Sequence, residues 1–214
     1  LTVSAGSGTT SSTFVVGAQD QWYDGMGMEF YFESIDEAGN VGRSPATPDT
    51  YHYSFIDYPA EANPVITSGR ISFGGQANNY RVISVPFDLQ DPQVLAILNE
   101  LGGVDKTKWR MYTYAGNEQF TENPTSFERG KGYWINVRNS PGNIQIEGAS
   151  TPQNNRTNFF SIELNPGWNQ IGNPYPVDIS WEQVRVAHTA TVGAVKIYNG
   201  TTYSDGDILS PYQG

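Results

Sequence analysis

One stretch of this chain occurs twice. Residues 80–87 (YRVISVPF) and 168–175 (WNQIGNPY) align without gaps, so that Tyr80 matches Trp168, Ile83 matches Ile171, Pro86 matches Pro174 and Phe87 matches Tyr175. The match continues downstream. Residues 109–112 (WRMY) match 195–198 (VKIY), Phe120 matches Tyr203, and 127–132 (FERGKG) match 209–214 (LSPYQG). The gaps this alignment needs fall in turns, where changes of length are tolerated. A repeat of this length is one supersecondary unit whose apolar face is buried by its neighbour.

Each copy predicts a strand, a short helix, a strand, a turn and a strand. In the first copy Asp91 is placed to cap a helix, Pro92 suits its first position, and Val94, Leu95, Ile97, Leu98 and Leu101 form an apolar face that Gly102 ends. In the second, Ser180 and Gln183 have the spacing of a capping box, with Trp181, Val184 and Val186 facing inward. The first copy then runs into residues 133–137 (YWINV), a clear strand; the second reaches Gly214 at the matching point. A sheet short of that strand carries an unpaired edge, so the expectation is that Gly214 is not the natural end and that an aromatic strand follows it. The repeat units span about 80–148 and 168–214.

Ahead of the repeat, residues 28–35 (MEFYFESI) alternate, with Met28, Phe30, Phe32 and Ser34 on one face and Glu29, Tyr31, Glu33 and Ile35 on the other. Residues 36–42 (DEAGNVG) read as a turn, because Gly39 and Asn40 tolerate positive φ and Asp36 can bond its own downstream backbone. Residues 50–56 (TYHYSFI) read as a further strand. The domain expectation is therefore a β block over 1–57, a Pro-containing linker over 58–69 and the duplicated β-rich domain over 70–214.

Composition narrows the function classes. The chain of 214 residues has 23 glycines, 13 prolines, 13 tyrosines and only 16% charged residues, which fits a mainly β fold with many turns. A formal net charge of −10 without any basic run disfavours nucleic acid, since phosphate backbones require clustered Lys and Arg. No apolar run approaches the ~20 residues of a membrane-spanning helix. There is no cysteine, which removes disulfides and thiolate zinc sites.

Residues 28–45 (MEFYFESIDEAGNVGRSP) and 51–55 (YHYSF) resemble the latter half of a bacterial immunoglobulin-like or fibronectin-III-like domain, with Ser34 where that pattern has Ala. Residues 127–135, 164–184 and 194–214 resemble a repeat of large secreted proteins of Bacteroidetes-type bacteria, often found near the sorting domain for type IX secretion. These resemblances imply an immunoglobulin-like sandwich portion, an extracellular or cell-surface location, and neighbouring domains on the same polypeptide.

His52 and His188, the two histidines, lack the nucleophile and acid of a triad. The carboxylates fall on strand faces and in turns, where solvation or capping is their ordinary role. Asp205 and Asp207 could offer oxygen ligands to calcium, though they lack the spacing of a helix-loop-helix calcium site and read more simply as an Asp-Gly hairpin turn; Asp36 and Asn40 share the ambiguity. No cofactor is expected otherwise. Of the aromatics, Trp109, Trp134, Trp168 and Trp181 occupy core-like positions, whereas Trp22 and Tyr23, in a Gly-rich loop, are the candidates for stacking on sugar rings. The functional expectation is a non-catalytic structural or adhesive module, with a protein or glycan surface as its partner; the alternative is an accessory carbohydrate-binding region of a secreted hydrolase.

Overall fold

The computed structural model describes residues 27–46, 52–55, 65–66, 74–116, 118–139, 141–150, 152, 160–187 and 192–214. It is mainly β, with several antiparallel sheets and two short α-helices. The chain divides into two compact units, Leu1–Phe55 and Ile56–Gly214.

In the first unit β1 (Gly27–Phe30) pairs with β4 (His52–Phe55), and β2 (Phe32–Ile35) pairs with β3 (Val41–Ser44), both antiparallel. The alternating run expected as one strand thus breaks at Tyr31, and its halves take different partners. The turn between β2 and β3 is closed by one side chain. Asp36 Oδ1 accepts the N–H groups of Ala38 (3.0 Å) and Asn40 (2.8 Å), and Asp36 Oδ2 accepts Asn40 Nδ2 (2.8 Å). Gly39, at φ +83°, supplies the left-handed residue the turn needs. The alternation of β2 marks pairing rather than burial, since Phe32 and Ile35 are both exposed.

The second unit is built on a four-stranded antiparallel sheet. Its strands are β6 (Arg81–Ile83), β8 (Trp109–Gly116), β9 (Gln119–Glu122) and β10 (Tyr133–Val137), in the order β6-β10-β8-β9. Alternation decides its inner face: Ile83, Trp109, Met111, Tyr133 and Ile135 are buried. The helix α1 (Val94–Ile97) covers that face with Val94, Ile97 and Leu98, and a 3-10 turn at Asn99–Leu101 adds Leu101. Gly102, at φ +74°, ends the turn, as expected. The helical stretch is nevertheless shorter than the apolar pattern implied. Asp91 does not cap it: its Oδ1 takes the N–H of Gln93 (3.0 Å), which is itself the N-cap, and Pro92 precedes the helix with its carbonyl accepting the N–H of Phe127 (2.7 Å).

Short strands close the core. The pair β5 (Val65–Ile66) and β11 (Ile144–Gln145) lies over it, with Ile66, Ile144 and Ile146 fully buried, so the stretch read as a linker contributes a core residue. The pair β7 (Asp88–Leu89) and β12 (Ala149–Ser150) follows the same return of the chain. The second copy then supplies β13 (Ile179–Ser180), α2 (Trp181–Ala187), β14 (Val195–Tyr198), β15 (Tyr203–Gly206) and β16 (Ile208–Leu209), pairing β13 with β16 and β14 with β15. No hydrogen bond joins Ser180 to Gln183, among the described residues; the first N–H of α2 goes instead from Trp181 to Asp207 O (2.9 Å).

Candidate functional site

The two copies are interlocked by reciprocal pairing. Ile83 bridges Gln213, and Ile171, which matches Ile83, bridges Lys131, which matches Gln213. The hydrogen bonds repeat as well: Ser84 N–H donates to Tyr212 O (3.0 Å), and Gly172 N–H donates to Gly130 O (2.9 Å). Both acceptors have positive φ, Tyr212 at +62° and Gly130 at +79°. At the helix entrances, Gln93 bridges Ser126 as Ser180 pairs with Ile208, and Val94 N–H donates to Thr125 O at the 2.9 Å that separates Trp181 N from Asp207 O. Each copy therefore completes its neighbour's pairing, which no isolated copy could do.

The copies differ in their strands. In the first, β10 lies between β6 and β8: Tyr133 opposes Ile83, and Trp134 opposes both Val82 and Tyr112. In the second, among the described residues, no strand lies between residues 169–171 and β14. Gly172 N–H faces Lys131, so Ile171 and Asn169 direct their backbone groups the other way. Asn199 N–H bonds Thr202 O (3.1 Å), so Val195 and Ile197 face β15 while Lys196 and Tyr198 face outward. Ile171 and Ile197, whose counterparts flank β10, are only half-buried.

Next to this position lies a groove of about 920 Å³, bordered by the end of β8, residues 128–131 and residues 160–171. Trp168 stands on its rim, 69% exposed. Asn169 holds the Trp168 loop closed, its Oδ1 accepting Asn165 N–H (2.9 Å) and its Nδ2 donating to Asn165 O (2.8 Å). Gln170 Oε1 accepts Tyr114 N–H (2.7 Å), and Arg129 bonds Asp88 (2.8 Å) with its guanidinium 4.2 Å over the Phe160 ring. Gln170 Nε2 and Arg129 Nε are buried without a partner. The groove thus offers an aromatic face at its rim, with two unpaired N–H donors buried in its wall.

The tryptophans corrected one expectation. Trp109 and Trp181 are buried and Trp134 is half-buried, but Trp168 is exposed. Tyr80, its match, has Trp134 of β10 6.4 Å away in an edge contact; Trp168 has no such strand beside it. Trp134 also meets Tyr198 (4.8 Å) and Tyr203 (6.4 Å), which extends the aromatic contacts across the two copies. The buried Asn173 escaped sequence reading, because Gly-Asn-Pro resembles a turn. It donates to Val177 O (2.7 Å) and Leu209 O (2.8 Å) and accepts Tyr175 N–H (2.8 Å).

The remaining candidates are dispersed. Trp22, Tyr23 and His188 lie outside the described residues. Asp205 is inside β15 rather than in a hairpin turn, and its carboxylate is paired with Lys196. The turn of that hairpin is formed at Asn199, whose Oδ1 accepts the N–H groups of Thr201 and Thr202 (both 2.9 Å). Asp207 contributes its backbone carbonyl to the start of α2. Asp36, bonded first by the Asn40 side chain, is held below its ordinary pKa. Among the described residues no three His, Cys, Asp or Glu side chains gather where they could hold a metal ion, and no helix is long and apolar enough to cross a membrane.

No family model, curated protein or solved structure matches the chain.

Proposed function

We propose that this chain is a non-catalytic structural or adhesive module of a larger extracellular bacterial protein. The observation that carries this reading is the reciprocal interlocking of the two copies, Ile83 with Gln213 and Ile171 with Lys131, around one shared β frame. The polar side chains support the same reading, since they close turns and pair on the surface: Asp36 and Asn199 close turns, Lys106 pairs with Glu122 and Lys131 with Glu128. The acidic, cysteine-free composition and the resemblance of its repeat to those of secreted proteins support the location.

Trp168 favours a second reading, an accessory carbohydrate-binding region. An exposed indole on the rim of a groove is suited to the apolar face of a pyranose ring. One experiment separates the two. The chain and its Trp168→Ala variant are tested against a glycan array. Absence of saturable glycan binding supports the structural module. Saturable glycan binding that disappears in Trp168→Ala supports the second reading and displaces the first.

A further inference from the structure

We propose that the aromatic face shared by β10 and the β14–β15 hairpin binds a proline-rich segment of a partner polypeptide in the polyproline II conformation. The inference rests on the reading of this chain as an adhesive module and names the chemistry of its partner.

Both copies contribute to the face. Trp134 meets Tyr80 of the first copy at 6.4 Å, and Tyr198 (4.8 Å) and Tyr203 (6.4 Å) of the second. Tyr112 opposes Trp134 in the sheet and lies 6.2 Å from Tyr80. Alternation puts Trp134 and Tyr112 on the side of the sheet away from buried Ile135 and Met111. Tyr203 is exposed and the other four rings are half-buried. Neighbouring ring planes differ by 54° to 89°. The surface is therefore ridged, with slots between tilted rings rather than a flat platform.

Geometry and polarity select the occupant. Because β10 is paired with β6 on one side and β8 on the other, a partner crossing Trp134 is held by side chains and not by a strand ladder. The Trp134 indole N–H and the hydroxyls of Tyr80 and Tyr203 have no hydrogen-bond partner among the described residues. The strands β6, β8, β9, β10, β14 and β15 hold two carboxylates, Glu122 and Asp205, and each is paired with a lysine. Arg81 and Arg110, on the same sheet as Trp134, carry donors alone. The face thus offers donors and no free carboxylate, and its complement is a chain rich in acceptors without positive charge. Proline has no N–H. Polyproline II makes no internal hydrogen bonds, so its carbonyls stay available. Its pyrrolidine rings fit the slots of an aromatic-lined surface. A pyranose stacks on a flat aromatic face, which these tilted rings do not provide.

The probe is decaproline, capped at both ends and titrated into the full chain. Binding is followed by calorimetry and by the NMR resonance of the Trp134 indole N–H. The expected result is saturable one-to-one binding that shifts this resonance. Tyr203→Ala is expected to weaken binding at least about tenfold. Tyr203→Phe keeps the ring, loses the hydroxyl and is expected to weaken it about threefold, while Trp168→Ala leaves it unchanged. Absence of binding with the indole resonance unmoved overturns the proline-rich partner and leaves the module reading in place, since that reading is judged separately on the glycan array. Decaproline binding that is unchanged in both Tyr203 variants overturns this face as its site. A shift of the same resonance by cellohexaose and not by decaproline assigns the face to a glycan and overturns the proposal.

Discussion

A Cβ placed on Gly172 would collide with the Cβ of Ser84, the residue Gly172 matches in the other copy. The same Cβ would stand 2.7 Å from the carbonyl oxygen of Lys131, so neither neighbour can yield cheaply. The two copies cross at this contact, and only a hydrogen fits between them.

Gly172→Ala is therefore expected to destabilise the second unit by about 2–3 kcal/mol, at the upper end for overpacking, because the obstacles include backbone. Gly103→Ala, where a Cβ would meet nothing within 4 Å, is expected to be neutral. Urea denaturation of the two variants checks this; equal stability would mean that the crossing is looser than described.

Asn173 makes three hydrogen bonds inside the protein, whereas the matching residue Val85 is apolar and buried. Asn173→Val, which makes the copies identical at this position, leaves the carbonyls of Val177 and Leu209 and the N–H of Tyr175 without partners. The expected cost is about 2–4 kcal/mol, from unsatisfied buried groups. Thermal unfolding measures it, and an unchanged midpoint would show that water replaces the amide.

Trp168→Ala and Trp109→Ala are expected to diverge. Trp109 is buried, and its indole N–H donates to Gly103 O (3.3 Å), so truncation is expected to cost about 3–5 kcal/mol. Trp168 projects into solvent, and its removal is expected to stay within about 0.5 kcal/mol. Equal losses in denaturant titrations would place Trp168 in a core contact.

These contrasts show what the sequence could convey. Strong alternation located β10 and the core end of β8, because period-two burial leaves its mark on every second residue. The repeat located matching backbone positions, and the reciprocal bridges of Ile83 and Ile171 follow it residue by residue. Matching did not extend to burial. Tyr80 is sheltered by Trp134 and Trp168 is not, since shelter depends on a neighbouring strand rather than on the residue itself. Val65–Ile66 was invisible for a different reason: two residues among prolines and glycines have no period, and only a distant partner, β11, makes them a strand. Trp168 and Gln170 form one groove with Arg129 and Phe160 through chain crossings that no local pattern announces.

Tyr133 gives a pH signature. Burial pushes its hydroxyl from the ordinary 10.0 up to about 12. The protonated hydroxyl donates to Ser126 O (3.2 Å) and accepts Glu128 N–H (2.8 Å). The folded state thus holds this proton more tightly than the unfolded chain. Its contribution to stability is complete below pH 10 and lost as pH rises toward 12. Tyr133→Phe is expected to be less stable at neutral pH by about 1–2 kcal/mol, from the unpaired Glu128 N–H and Ser126 carbonyl. Its deficit relative to the parent is expected to shrink through that alkaline window. A constant deficit from pH 7 to pH 12 would contradict the assignment.

The pairing of matched strands in the two copies is tested most directly by native-state amide exchange on the chain alone, comparing matched residues of the two hairpins. Arg110 and Tyr112 face β10 and oppose Asn136 and Trp134. Lys196 and Tyr198 face away from β15. The expected result is that Arg110 and Tyr112 exchange only through global unfolding, while Lys196 and Tyr198 exchange faster by at least about a hundredfold. Equal protection of the two pairs would contradict the difference in strand pairing between the two copies.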